Sequence, residues 1–70
     1  MKSRIEQLIK ERGLQKKFVA GKIGVTVGQL RHYETGHSLI PIDKAYILAD
    51  LLNVKVDELY EREDTPGNTP

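Results

Sequence analysis

GVTVGQLRHYETG, residues Gly24–Gly36, reads as one short helix written between two glycines. Thr26 has the side chain of an N-cap, able to accept from an amide of the first turn, and Gly36 suits the left-handed residue that ends a helix. Within that span only Leu30 and Tyr33 are of the kind that packs inward. Val27, Gly28, Gln29, Arg31 and His32 are left for the other sides. They face water, a protein or the groove of a nucleic acid.

The segment before it, Gln15 to Ile23, carries Val19, Ala20 and Ile23 at helical spacing, and Gly24 ends it. Only Gly24, Val25 and Thr26 separate the two helices. A connection that short, opening on a glycine, makes helices cross steeply, as in a helix-turn-helix. Gly21, inside the earlier helix, costs about 1 kcal/mol against Ala. Either another backbone approaches it closely or it sits on an unconstrained exposed face. Phe18, beside the inward stripe, is expected to be half-buried.

Further upstream, Ser3-Arg4-Ile5-Glu6 has the form of a capping box. Ile5, Leu8 and Ile9 then mark a buried stripe, with Gly13 as a left-handed stop and Leu14 folding back on it. A first helix over about residues 3–12 follows. Downstream, His37 to Ile40 form a loop whose Leu39 and Ile40 either pack inward or make a small apolar patch. Pro41 suits the first turn of a fourth helix, and Ile42, Ala45, Leu48, Ala49 and Leu52 give the clearest stripe in the chain. Asn53 suits the left-handed position after it. Val56, Leu59 and Tyr60 predict a last helix over Val56–Glu61, prone to fray because Lys55 stands where a Ser or Thr cap is usual. The expected fold is all-α, a compact bundle of five short helices over residues 1–60. Residues 61–70 form an acidic, Pro- and Gly-containing tail without apolar residues, which reads as disordered.

Composition sets the outer limits. Seventy residues make one domain with a thin core, and with no Cys there is neither a disulfide nor a thiolate to reinforce it. No apolar run reaches the ~18–20 residues of a membrane span, and the charged opening MKSRIEQ is unlike a signal peptide. These features predict a soluble, cytoplasmic protein. Charge is divided along the chain: residues 1–37 hold eight Lys or Arg against three acids, and residues 38–70 hold three against seven. The division is either a basic face made for an anionic partner or two solvated faces that differ. His32 and His37, five apart, are not expected to converge as metal ligands on a helix. No Gly-rich phosphate loop follows a strand, no nucleophile–base pair stands out, and packed helices leave little room for a pocket of ~300 Å³. The reading is of a non-enzyme without metal, cofactor or small-molecule ligand.

LQKKFVAGKIGVTVGQLRHYETG followed by IPIDKAYILADLLNVKVDEL resembles the lambda-repressor-like (Cro/cI-type, XRE) helix-turn-helix family. The resemblance is carried by Val19-Ala20, Gly24-Val25, Leu30, Glu34-x-Gly36, Leu48-Ala49, Leu52, Val54 and Asp57-Glu58-Leu59, and covers roughly residues 3–60. It implies a transcription regulator that binds double-stranded DNA, with the amino end of the third helix in the major groove and the second helix bracing it across the backbone. Base-reading positions then fall on Thr26, Val27, Gly28 and His32, with Gln29 beside them. Phosphate positions fall on Gln15 and Lys16 at the start of the second helix and on Thr35, His37 and Ser38 after the third. Lys17, Lys22 and Arg31 add positive charge, and Arg31 is either a base contact or a solvated side chain. On this reading Lys16→Ala weakens binding to all sequences about equally.

Departures from the family pattern define a rival. Val27 and Gly28 offer no hydrogen bond to a base edge; Val27 can touch a thymine methyl, and Gln29 is the better candidate for a paired contact to adenine. Ile47 and Leu51 lie beside the core stripe of the fourth helix, where they either pack on neighbouring segments or form, with Tyr60, a homodimer contact. The rival is a protein-interaction module on the same fold, an antirepressor or adapter with weak or no specific DNA binding.

Overall fold

The computed structural model describes residues 2–61. Among them lie four α-helices: α1 Ile5–Glu11, α2 Lys16–Ile23, α3 Val27–Thr35 and α4 Ile42–Leu52. A 3-10 turn spans Val56–Glu58, and two short strands, β1 Lys2–Ser3 and β2 Tyr60–Glu61, pair antiparallel with Lys2 opposite Glu61 and Ser3 opposite Tyr60. The amide of Arg4 extends this ladder by donating to the Leu59 carbonyl at 2.9 Å.

The helix count is therefore a correction. A fifth helix does not form, because its segment is drawn into other work. Leu59 is fully buried, and the residues after it pair with β1. Lys55 has no side-chain acceptor to offer the turn; instead its own backbone N–H donates to the Glu58 carboxylate at 2.6 Å. Glu61, expected to open the tail, belongs to the ladder; the rest of that tail lies outside the described residues.

The start of α1 differs for a related reason. Ser3 is held extended by the ladder, so the helix opens at Ile5 with Arg4 before it and no side-chain cap. Ser3 Oγ accepts from the Ile5 amide at 3.3 Å, and Glu6 reaches Lys16 instead of closing a capping box.

One core joins these elements. Ile5 and Ile9 of α1, Val19 of α2, Leu30 of α3, Leu48 and Leu52 of α4 and Leu59 after the turn are its largest fully buried side chains. Burying each stabilises the fold by roughly 1.5–3 kcal/mol relative to exposure. Tyr33 and Ile40 join them, and the Tyr60 hydroxyl accepts from the Ile40 amide at 3.0 Å. That bond splits the loop after α3: Ile40 is 9% exposed while Leu39 beside it is 63% exposed. Lys44 on α4 donates to the Ile23 carbonyl at 3.4 Å, closing the carboxyl end of α2.

Two apolar residues are more exposed than the sequence predicts. Ile42 is exposed: it is the first residue of α4 and sits at the margin of the stripe. Phe18 is exposed rather than half-buried, with the Lys22 ammonium 5.5 Å from its ring centroid. An open cleft of ≈ 470 Å³, lined by Arg4, Gln7, Asp57, Glu58, Tyr60 and Glu61, lies over the 3-10 turn and the ladder. It is larger than the sequence allowed for and includes no residue of α3.

Gly21 has nothing within 4 Å of where a Cβ would stand, so no neighbour within the domain requires glycine there. Gly21→Ala is expected to raise stability by about 0.5–1 kcal/mol, read as a higher urea midpoint with an unchanged slope.

Candidate nucleic-acid interface

The geometry of α2 and α3 begins with the turn between them. Gly24 adopts φ 78°, a left-handed conformation that L side chains rarely take. It allows the Gly24 amide to donate to the Gly21 carbonyl at 3.3 Å and the Val25 amide to the Ala20 carbonyl at 2.9 Å. The chain is then free to restart at Thr26, whose Oγ1 accepts from the Gln29 amide at 3.0 Å. The bounds of α3, Val27–Thr35, are those the two glycines and Thr26 predict.

Leu30, Tyr33 and Glu34 hold α3 against the domain. Val27, Gly28, Arg31 and His32 are exposed and Gln29 is half-buried. These five share the outward sides of one helix, with Thr26 exposed at its start. A Cβ at Gly28 would meet only Thr26 Oγ1, at 3.8 Å, so the glycine leaves open space at the front of α3. Neither α2 nor α3 carries an acid in its first turn, whereas α1, α4 and the 3-10 turn each do. The opening of α3 thus has no acid of its own first turn to oppose an anion, whereas at the opening of α2 carboxylates from other helices approach Lys16.

The residues assigned to phosphates separate into two groups, with Lys16 apart from both. Gln15 stands exposed before α2 with its side chain unused as a cap, and Lys17 and Lys22 are exposed on α2. His37 is exposed after α3 and Ser38 is half-buried, its amide donating to the His32 carbonyl at 3.2 Å. Thr35 is exposed but its hydroxyl donates back to the same His32 carbonyl at 3.3 Å. Lys16 is different again. Its ammonium lies 3.2 Å from Glu6 Oε2 on α1 and 3.2 Å from Glu34 Oε1 on α3.

Glu34 is the residue that reading the sequence missed. Its side chain is only 2% exposed, and neither carboxylate oxygen has a hydrogen-bond partner among the described residues. The contact with Lys16 is a close ion pair rather than a directed hydrogen bond. A signal was present in the sequence: Glu34 is four residues after Leu30 and therefore on the same face of α3. The two carboxylates, Glu6 first and then Glu34, raise the Lys16 ammonium above the ordinary lysine value of 10.5, with burial acting in the opposite direction.

The two histidines lie closer together than positions along one helix would place them. Gly36, at φ 81°, turns the chain off the helix, so His37 does not continue its spiral. The His32 and His37 rings come together with centroids 4.8 Å apart and planes tilted by 53°. Among the described residues no group of three or more His, Cys, Asp or Glu is placed to hold a metal ion. The dimer candidates differ in exposure: Ile47 is exposed, Leu51 is half-buried against the core, and Tyr60 is half-buried with its hydroxyl on Ile40.

A family model described as helix-turn-helix matches residues 5–59, most of the chain and nearly all of its described part. Among curated proteins none matches the chain.

Two outcomes test this geometry. Thr26→Ala removes the N-cap of α3 and is expected to cost about 1 kcal/mol in urea unfolding. Because the Lys16 value is raised on folding, the stability it contributes is present below 10.5 and is lost as pH rises through the higher folded value. The stability gap between the parent and Lys16→Met is therefore expected to be flat from neutral pH to about 9 and to close as the ammonium titrates, measured by urea unfolding across that range.

Proposed function

Because the chain belongs to the lambda-repressor-like, XRE-type helix-turn-helix family of DNA-binding transcription regulators, we propose that it is a sequence-specific regulator of bacterial or phage type. It binds double-stranded DNA as a repressor or switch factor, with the amino end of α3 in the major groove. The observation that carries this reading is the division of α3 itself: Leu30, Tyr33 and Glu34 fix it to the domain while Val27, Gly28, Arg31 and His32 remain exposed.

Affinity on this reading comes from phosphates meeting Lys17, Lys22, Arg31 and the amides at the starts of α2 and α3, with Gln15, Thr35, His37 and Ser38 at the edges. Selectivity comes from Val27 against a thymine methyl, Gln29 in a paired contact to adenine, and Arg31 or His32 at guanine. Thr26 borders the bases while its hydroxyl oxygen caps α3. Gly28 lets the helix approach the groove without a side chain in the way. Sequence-dependent DNA shape supplies discrimination where no base edge is touched. The setting is the cytoplasm, at the nucleoid; no described helix is long and apolar enough to cross a membrane.

A homodimer through Ile47, Leu51 and Tyr60 would present two copies of α3 to half-sites about 34 Å apart. The second reading, a protein-interaction module, is favoured by the exposure of Leu39, Ile42, Tyr46 and Ile47 on and before α4.

Selection from a randomised duplex library at about 50 and 200 mM salt separates these readings. The regulator is expected to enrich a motif and to lose roughly a thousandfold or more in affinity between the two conditions if it meets six or more phosphates. Retention of no DNA at the lower salt sinks the reading and leaves the protein-interaction module. Within an enriched motif, Gln29→Ala is expected to relax one base pair at a cost of about 1–3 kcal/mol; unchanged selectivity would remove Gln29 from the reading set.

A further inference from the structure

Lys16 stands at the opening of α2, where the family resemblance places a phosphate contact, yet its ammonium is already engaged by two carboxylates. The two differ in kind. Glu6 is solvent-exposed and would simply be hydrated if Lys16 were absent. Glu34 is shut away from water, its oxygens have no hydrogen-bond partner among the described residues, and Lys16 is the cation beside it. Removing the partner of a buried charge is far more damaging than removing that of an exposed one. An ammonium flanked by two anions also offers little net attraction to a third.

The position of Glu34 gives the pair a second consequence. It lies on the inward face of α3 one turn beyond Leu30, two residues from His32 and three from Arg31. Whatever fixes the Glu34 carboxylate also fixes the rotation of α3 about its axis. That rotation sets the direction of every outward side chain from Val27 to His32.

Building on the DNA-binding reading, we propose that Lys16 is a positioning residue, which holds Glu34 and thereby sets the rotation of α3 for base reading, and is not a phosphate contact. The ammonium joins three helices: Glu6 from α1, its own α2, and Glu34 from α3. The uniform weakening that the sequence suggests for a change at Lys16 is accordingly replaced by a loss confined to the preferred sequence.

The test uses the full chain with Lys16→Met, Lys16→Arg, Glu34→Gln and the double variant Lys16→Met/Glu34→Gln, with Lys17→Met as the comparison for a phosphate contact. Without DNA, Lys16→Met is expected to lower the urea midpoint, and Glu34→Gln added to it should restore most of the loss. Additive effects of the two changes would overturn the proposal. With DNA, the probes are the duplex that the parent selects from a randomised library and a scrambled duplex of equal length.

Lys16→Met is expected to lose about tenfold on the selected duplex and nothing on the scrambled one. The slope of log affinity against log salt should stay unchanged, and Lys16→Arg should recover the selectivity. Lys17→Met should instead lower the slope by about 0.9 on both duplexes, as loss of one phosphate contact does. If Lys16→Met behaves like Lys17→Met, Lys16 is a phosphate contact and the proposal fails. If the parent selects no duplex, base reading by α3 fails and takes with it the role proposed for Lys16 in that reading. The midpoints then still report whether Lys16 and Glu34 are linked.

Discussion

The way helices stop governs this domain. Residues 2–61 accommodate four helices joined by connections of a few residues, so each helix must end sharply and the chain must leave at a defined angle. Three of them end by one device. Gly13, Gly24 and Asn53 take left-handed conformations after α1, α2 and α4, and their amides donate to Lys10, Gly21 and Asp50. The next residue, Leu14, Val25 or Val54, donates to the carbonyl five back and packs on the core. The stop and the hydrophobic contact are the same few atoms, so the angle at which the chain departs is set by burial as well as by backbone conformation.

α3 is the exception. Gly36 is left-handed, but the residue after it is His37, polar and exposed, and no apolar staple returns to the core. Its carboxyl end is anchored instead by Tyr33 and by the buried Glu34 beside the Lys16 ammonium. An ion pair with one partner out of water is more sensitive to pH and substitution than an apolar contact. The helix that carries the candidate reading surface is thus held by different chemistry from the other three.

What could be read from the sequence follows from the length over which each signal is written. Caps are one-residue signals with strong stereochemical causes, so Thr26, Gly36, Gly24, Gly13 and Asn53 located helix ends correctly. The stripes of α1 and α2 span enough turns to be recognised. A strand pair of two residues on each side has no alternation to detect, and its consequences, the shortened α1 and the missing fifth helix, were hidden with it. Ile42 shows the limit of a stripe: periodicity reports the direction of a side chain, not whether a neighbour covers it. At the candidate site the outward positions of α3 were legible from Leu30 and Tyr33 alone. The internal engagement of Lys16 was not, because it depends on Glu6 and Glu34, ten residues before it and eighteen after.

The ladder between Lys2–Ser3 and Tyr60–Glu61 turns a string of helices into a closed ring. In an open string either extremity can peel away while the middle stays folded, the usual route by which small helical domains lose order. Here neither extremity can leave without releasing the other, and Tyr60 carries the effect further, since its hydroxyl holds the Ile40 amide before α4. A disturbance at Lys2 is therefore two steps from the loop that follows α3, and the two ends of the described chain and its centre share one fate.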